Sequence, residues 1–325
     1  MSPTAAARLA GFPFPFRSDR YELRVNVEPA RVPVTTEAGG WGSGVFVVDG
    51  DHTSELAERA RVLERDPSRL TVLPHMRPAC WDVLLYGLRE LADRRPDVME
   101  LREDGDVFVW RNDLLGVERR FREFDDDALP GGPLGFLGSQ AQEDVVLLDE
   151  REGALWADAG LVTFASGWSL RFDIGMPFAD VHAPVPRIGG SGFTARAERF
   201  ILRLAPGQEY RRVNWSLSAG RHLDQSVENT AAWAPDRRRA ATIEGDELAE
   251  LLHLRVEVQH LVRLGESGAV AFFIRTHLAS LADLARVPRW RHRTGLVLAD
   301  VPEDVAEYKG IAPVRDAAVR WLLGS

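Results

Sequence analysis

Eight histidines and a set of polar residues alternating along strand-like runs are the chemistry-bearing features of this sequence. A neutral imidazole is the commonest side-chain ligand for a transition metal and a standard axial ligand for haem iron. His52 lies just before a helix start, His222 lies in a polar loop, and His292 sits in Arg289-Trp290-Arg291-His292-Arg293. Surface positions are expected for these three. His253, His260 and His277 fall on strand-like runs, where a hydrogen-bonded structural histidine is expected. His182 differs in context. It ends a segment carrying Ile174, Met176, Phe178 and Val181, and Ala183-Pro184-Val185-Pro186 follows at once, with prolines that restrict the exit of the chain. A histidine held there could present one ring nitrogen to a haem iron; a packed core histidine fits the same context.

The polar set occupies three runs. Arg212, Asn214 and Trp215 share the first, Arg255, Glu257 and Gln259 alternate on the second, and Arg275 ends the third. A period of two puts Arg255, Glu257 and Gln259 on one side of a sheet and Leu254, Val256 and Val258 on the other. If that polar face is covered, its charges must be paired or serve a ligand. A solvated sheet face satisfies the pattern equally.

Other chemistries are excluded by what the sequence lacks. Cys80 is the only cysteine, so no disulfide, CxxC zinc site or four-cysteine iron–sulfur cluster can form from this chain alone. There is no GxxxxGK[ST] loop, no HExxH and no GxSxG. Gly39-Gly40-Trp41-Gly42-Ser43-Gly44 lacks the GxGxxG spacing and reads as a turn between strands. With 40 basic against 49 acidic residues the formal charge is -9, the wrong sign for a phosphate-tracking surface, so no nucleic-acid partner is expected. Arg237-Arg238-Arg239 reads as a solvated turn. The apolar run Ala269 to Ile274 is too short to span a bilayer, no secretory signal is evident, and the expected compartment is the cytoplasm.

The elements that must position these residues follow from pattern. Residues 1–130 contain two β-like runs, Tyr21 to Val27 and Gly44 to Val48, then helices. Thr53-Ser54 with Glu58 can cap a helix through about Glu64, and Ala79 to Arg94 places Trp81, Leu84, Leu85, Leu88 and Leu91 on one face. The stretch from Asp125 to Pro133 marks a boundary between these N-terminal strands and packing helices and a core over residues 131–325. There Val145 to Leu148 and Leu155 to Phe164 read as a hairpin turning at Glu152-Gly153. Helical or irregular chain follows from Trp168 to Pro186, then a helix from Ala195 to Leu204. Strands over Tyr210 to Leu217, Leu252 to Leu264 and Gly268 to His277 close the core. The fold class is α+β, an antiparallel sheet with helices over one face.

Several motifs in one order carry a family resemblance. They are Gln142-Glu143-Asp144, Ser166-Gly167-Trp168, Ile174-Gly175, Val181-His182-Ala183-Pro184-Val185-Pro186, Arg212-x-Asn214-Trp215-Ser216, Leu254-Arg255-Val256-Glu257-x-Gln259, Ile274-Arg275-Thr276 and Tyr308-Lys309. The series resembles the haem-dependent oxidative N-demethylases, whose best-known activity is dimethylamine monooxygenation. The resemblance implies a haem-binding PAS-like core with an N-terminal embellishment. It also implies b-type haem and dioxygen acting on a small amine, with electrons from NADPH through a flavin and 2Fe-2S reductase on a separate subunit. Carried onto this sequence, it makes His182 the proximal iron ligand and places Trp168, Asn214 and Trp215 around the cofactor. Arg212, Arg255, Glu257 and Arg275 become the polarised catalytic pocket. Glu257 would bind a protonated amine and handle protons, and an arginine would donate to oxygen. A non-catalytic haem-binding sensor or binding subunit is the alternative. Departures are Ala165 where the family pattern has proline, Val258-Gln259-His260 after the glutamate, and His277 where an aromatic is usual. The two histidines, expected near the pocket, put dimethylamine itself in doubt and offer competing iron ligands.

Overall fold

The computed structural model describes residues 5–22, 27–186 and 192–324. The N-terminal part runs through α1 (Ala5–Ala10) and three two-residue strands, β1 (Glu28–Pro29), β2 (Val34–Thr35) and β3 (Gly40–Trp41). Helix α2 (His52–Arg65) buries Leu56, Arg59 and Val62 along one stripe. Strand β4 (Leu70–Val72) leads to α3 (Arg77–Arg94), whose expected face of Trp81, Leu84, Leu85, Leu88 and Leu91 is buried. Next comes an antiparallel meander that the pattern reading did not contain, β5 (Met99–Asp104), β6 (Val107–Asn112) and β7 (Val117–Arg122). The short α4 (Gly132–Gly138) opens just after Pro130.

The core sheet begins with the expected hairpin, β8 (Asp144–Arg151) and β9 (Ala154–Leu161). Glu152 and Gly153 turn it at φ 57° and 75°. Four short elements follow: α5 (Leu170–Asp173), β10 (Met176–Pro177), α6 (Phe178–Val181) and α7 (Phe193–Leu202). Then come β11 (Glu209–Ala219), α8 (Thr230–Ala240), α9 (Gly245–Leu251), and the long hairpin β12 (Leu252–Arg263) and β13 (Val270–Ser280). Helices α10 (Leu281–Leu284), α11 (Pro288–Asp300), α12 (Glu303–Tyr308) and α13 (Ala312–Leu323) close the chain.

The sheet order is β1-β11-β12-β13-β8-β9-β10, antiparallel throughout, with β4 added on β9. Every residue of β12 from Leu252 to Val262 is buried, as a central strand covered on both faces must be. Helices therefore lie on both faces, where the sequence pattern placed them on one. On the first face Val146, Leu148, Leu261 and Val270 pack with Leu170, Ile201, Trp168, Ile174 and Phe178 from the α5–α7 segment. On the second, α3 and α4 pack on Val145, Leu147 and Phe273, while α11 and α13 pack on Leu254, Val256 and Ala279.

Other expectations need correction. The run Gly44 to Val48 is not a strand, because acceptors from outside any ladder take its backbone: Val47 N donates to Glu143 Oε1 at 3.0 Å and Asp49 N to Gln142 Oε1 at 3.2 Å. Arg237, Arg238 and Arg239 are exposed, but they form the last turn of α8, where positive charge suits the helix dipole. Ser54 and Thr53 sit inside the first turn of α2, with Ser54 Oγ donating to the carbonyl of Asp51. The strand expected over Tyr21 to Val27 lies mostly on residues 23–26, outside the described residues.

Candidate functional site

Cross-strand register decides which polar side chains share a face. Arg212 of β11 is opposite Gln259 of β12, which is opposite Ile274 of β13; in the same way Asn214, Glu257 and Thr276 form one row across the three strands, and Ser216, Arg255 and Leu278 another. These residues project on the first face, the one the α5–α7 segment covers. The expected cluster of Arg212, Asn214, Arg255, Glu257 and Gln259 is therefore assembled.

Its carboxylate is held from three sides. Asn214 Nδ2 donates to Glu257 Oε2 at 3.3 Å, Gln259 Nε2 donates to the same oxygen at 3.0 Å, and Arg255 Nε lies 3.4 Å from Oε1. Arg255 is fully buried. It spends its remaining donors on the carbonyls of Leu223 (2.9 Å) and Phe164 and on Thr276 Oγ1 (3.2 Å), which fix it beside Glu257. Arg212 differs, because its buried Nε has no protein partner among the described residues. Burial works against its charge, and Glu257 works for it.

Lys309, at the end of α12, closes the edge of β11. Its Nζ donates to the carbonyl of Trp215 at 2.6 Å, lies 3.5 Å from Asn214 Oδ1 and sits 5.0 Å from the Trp215 ring centroid. Burial pulls its pKa down to about 8, with the Glu257 charge opposing and the Arg212 charge assisting. Burial, then the Glu257 charge, pushes the Tyr308 hydroxyl up. Neither residue had a role assigned from the sequence. The available signal was that Lys309 is the chain's only lysine.

His182 caps α6 immediately after the β10 edge strand that pairs with β9. Its Nδ1 lies 2.8 Å from the carbonyl oxygen of Phe178, and the Phe178 ring packs on it with centroids 4.2 Å apart. A carbonyl can only accept, so Nδ1 carries the proton and Nε2 carries the lone pair. No described residue is bonded to Nε2. Burial first, and Arg212 after it, hold the imidazole below its usual pKa and therefore neutral. Phe178 belongs to a set that also includes Trp168, Ile174, Phe200 and Phe272, all only partly buried against the apolar cluster on this face of the sheet. A fixed imidazole with a free Nε2 beside incompletely covered aromatic surface is a donor set that fits a haem. The family model described as haem-dependent oxidative N-demethylase, alpha subunit-like, matches residues 41–319.

The chain belongs to that family.

Not every expected site residue joins the cluster of this N-demethylase-like subunit. Arg275 is opposite Val258, and so projects on the second face. There it pairs with Asp49 at 2.7 Å and Glu55 at 2.8 Å. Trp215 also turns to the second face, edge-on to Phe16. Its backbone carbonyl, through Lys309, is what touches the site. Trp168 is on the covering segment, packed in the apolar cluster. His260 and His277, opposite Phe273 and Val256, lie on the second face too, with the sheet between them and the polar cluster. Among the surface-expected histidines, His52 is buried with Nε2 2.9 Å from the Gln140 carbonyl, His222 bonds Asp236 at 2.9 Å, and His292 is exposed.

Among the described residues, one group has metal-ligand spacing, His75 with Asp149 and Asp158. Arg151 NH1 already bridges both carboxylates, so the cluster is neutralised by an ion pair. No helix among the described residues is long and apolar enough to cross a membrane.

Proposed function

We propose that this chain is a haem-binding, PAS-like monooxygenase subunit that demethylates a small amine oxidatively, with electrons from a separate reductase. His182 Nε2 would hold the iron of a b-type haem, and the partly covered aromatics of the α5–α7 segment would border the macrocycle. Bound haem supplies the activation of dioxygen that lets one oxygen atom leave with the N-methyl carbon as formaldehyde and the other leave as water, at the expense of two electrons.

The chain's own residues supply binding and proton handling. Glu257, tethered by Asn214, Gln259 and Arg255, offers an anionic anchor for an alkylammonium ion and can take up its proton. Arg212 offers a buried, unpartnered N–H on the same face. Lys309, with a pKa near 8, sets how negative this space is around neutral pH. Packing of apolar residues of the α5–α7 segment on this face lowers the polarity around the buried Glu257 and strengthens its interactions.

The observation that carries this reading is electrostatic continuity. Arg212 acts on the His182 imidazole and is itself acted on by Glu257, so the candidate ligand and the candidate amine anchor are electrostatically coupled through one arginine. The family's name, which specifies haem, oxidative N-demethylation and an alpha subunit, supports the same chemistry and a partner subunit. The test is NADPH consumption with a flavin and iron–sulfur reductase across a panel of methylated amines. Amine-stimulated consumption with stoichiometric formaldehyde is the expected result. A ligand-induced spectral change without turnover would instead make the protein a sensor.

A further inference from the structure

A second polar recess lies on the opposite face of the sheet and plays no part in the chemistry above. Its volume is about 250 Å³. The Gly40–Val48 strap, the end of α3 at Arg94 and Arg95, and the sheet residues Val258, His260, Arg275 and His277 enclose it.

Three of its lining residues carry buried polar atoms that no described protein group satisfies: Trp41 Nε1, Arg275 Nε and both ring nitrogens of His260. His260 is 1% exposed, and burial drives its pKa to about 3, so it stands neutral with one N–H and one lone pair. Trp41 Nε1 and Arg275 Nε can only donate. Buried donors left without partners are costly, and a set of them lining one recess suits a ligand rich in acceptors.

Charge narrows the class. The Arg275 guanidinium is held by two carboxylates, Asp49 and Glu55, and Arg95 is paired with Asp97 at 2.8 Å. Arg94 is held by the Ser43 carbonyl and hydroxyl, and it faces no carboxylate among the described residues. Its charge is therefore uncompensated where the recess begins. The other walls, Pro13, Phe46, Val48 and Val258, are apolar. Gly42 is required here: its φ is 81°, and a Cβ would stand 2.2 Å from the Arg211 guanidinium, which donates to the Gly42 carbonyl at 2.5 Å and so fixes the strap.

We propose that this recess is a binding site for a small carboxylate with a short aliphatic body, its oxygens taken by Trp41, Arg275 and His260 and its charge matched by Arg94. The test is calorimetric titration and thermal shift of the full chain with butyrate, with butyramide as the uncharged comparison. Butyrate is expected to bind and raise the Tm. Its affinity should fall about tenfold in Trp41→Phe and in His260→Leu, as for a lost hydrogen bond to a charged group, and butyramide should bind about tenfold more weakly. Trp41→Phe keeps an aromatic ring under Arg211, so it decides the matter if His260→Leu does not fold. Glu257→Gln, on the other face, should bind butyrate as the wild type does. Absence of butyrate binding, equal binding in Trp41→Phe, or equal binding of butyramide would overturn the proposal.

Discussion

His182 donates from Nδ1 to the carbonyl oxygen of Phe178 over 2.8 Å, one turn earlier in the same short segment. The bond selects the tautomer, aims Nε2 away from the backbone, and is reinforced by the Phe178 ring 4.2 Å from the imidazole. Partners of this kind orient a metal ligand and raise its basicity. Loss of the ring should therefore loosen the ligand without removing it. In Phe178→Ala, haem is expected to bind, with dissociation faster by about tenfold, read by transfer of haem to apomyoglobin. Unchanged haem release would show that the packing does not orient His182.

Glu257→Gln keeps the shape and the bonds from Asn214 and Gln259 but removes the anionic charge. A charge-assisted hydrogen bond of about 1.5–3 kcal/mol is lost to an ammonium substrate, so KM for the amine should rise between about 10-fold and 100-fold. Asn214→Ala, which frees the carboxylate without neutralising it, should have a smaller effect. Steady-state kinetics on both variants check this, and an unchanged KM in Glu257→Gln would remove the amine anchor.

Lys309 gives a pH signature. Its pKa of about 8 means that the ammonium next to Asn214 loses its charge as pH rises through that value, while an alkylammonium substrate, with a pKa like that of an exposed lysine, keeps its own. KM for the amine should fall between pH 7 and pH 9, and Lys309→Met should flatten the profile at the low-KM end. A wild-type profile that is flat over this range would contradict the assignment.

The buried imidazoles predict acid sensitivity. Burial lowers His253 to about 4 and His260 and His277 to about 3, against 6.5 in the unfolded chain. Between those values the unfolded state binds more protons, so stability is fully present above pH 6.5 and is lost as pH falls towards 3. Glu143 opposes this, because burial raises it to about 7 and its contribution is lost as pH rises from 4.5 to 7. Urea midpoints across pH 4–7 should fall on acidification, less steeply in His260→Leu, and more steeply in Glu143→Gln. Identical slopes in all three proteins would contradict the burial argument.

How much of this was legible depends on where each residue's partner lies. The strands β8, β9, β11, β12 and β13 were readable because continuous apolar runs and period-two alternation are local signals. The grouping of Arg255, Glu257 and Gln259 follows from parity within one strand. Arg275 was misplaced because its face depends on register between β12 and β13, where it meets Val258 and not Glu257. The segment from Gly44 to Val48 was misread for a related reason: its hydrogen-bond acceptors sit almost 100 residues away, on Gln142 and Glu143. His52 looked like a surface residue beside a helix start, yet it is buried against Gln140, a contact between elements that no local pattern contains. The β5–β7 meander is short and heavily charged, so its alternation is weak.

One buried pair ties the N-terminal helices to the sheet. Arg59 of α2 is 1% exposed and donates to Asp144 Oδ1 at 3.1 Å, to Thr163 Oγ1 at 3.0 Å and to the carbonyls of Gly138 and Gln142 at 2.9 Å each. Arg59→Ala strands Asp144, which is itself buried, and should cost about 3–5 kcal/mol. Asp144→Asn in the same background should recover part of that loss. Denaturant unfolding measures both, and a cost under about 1 kcal/mol would mean that the pair is not the tie it looks to be.

The central claim is that His182 Nε2 binds haem iron. The direct measurement is the absorption spectrum of the purified protein before and after haem addition, for wild type, His182→Ala and His260→Leu. A stoichiometric Soret band in wild type and in His260→Leu, lost or shifted in His182→Ala, is the expected result. A wild type that folds but takes up no haem, or a His182→Ala spectrum identical to wild type, would contradict it.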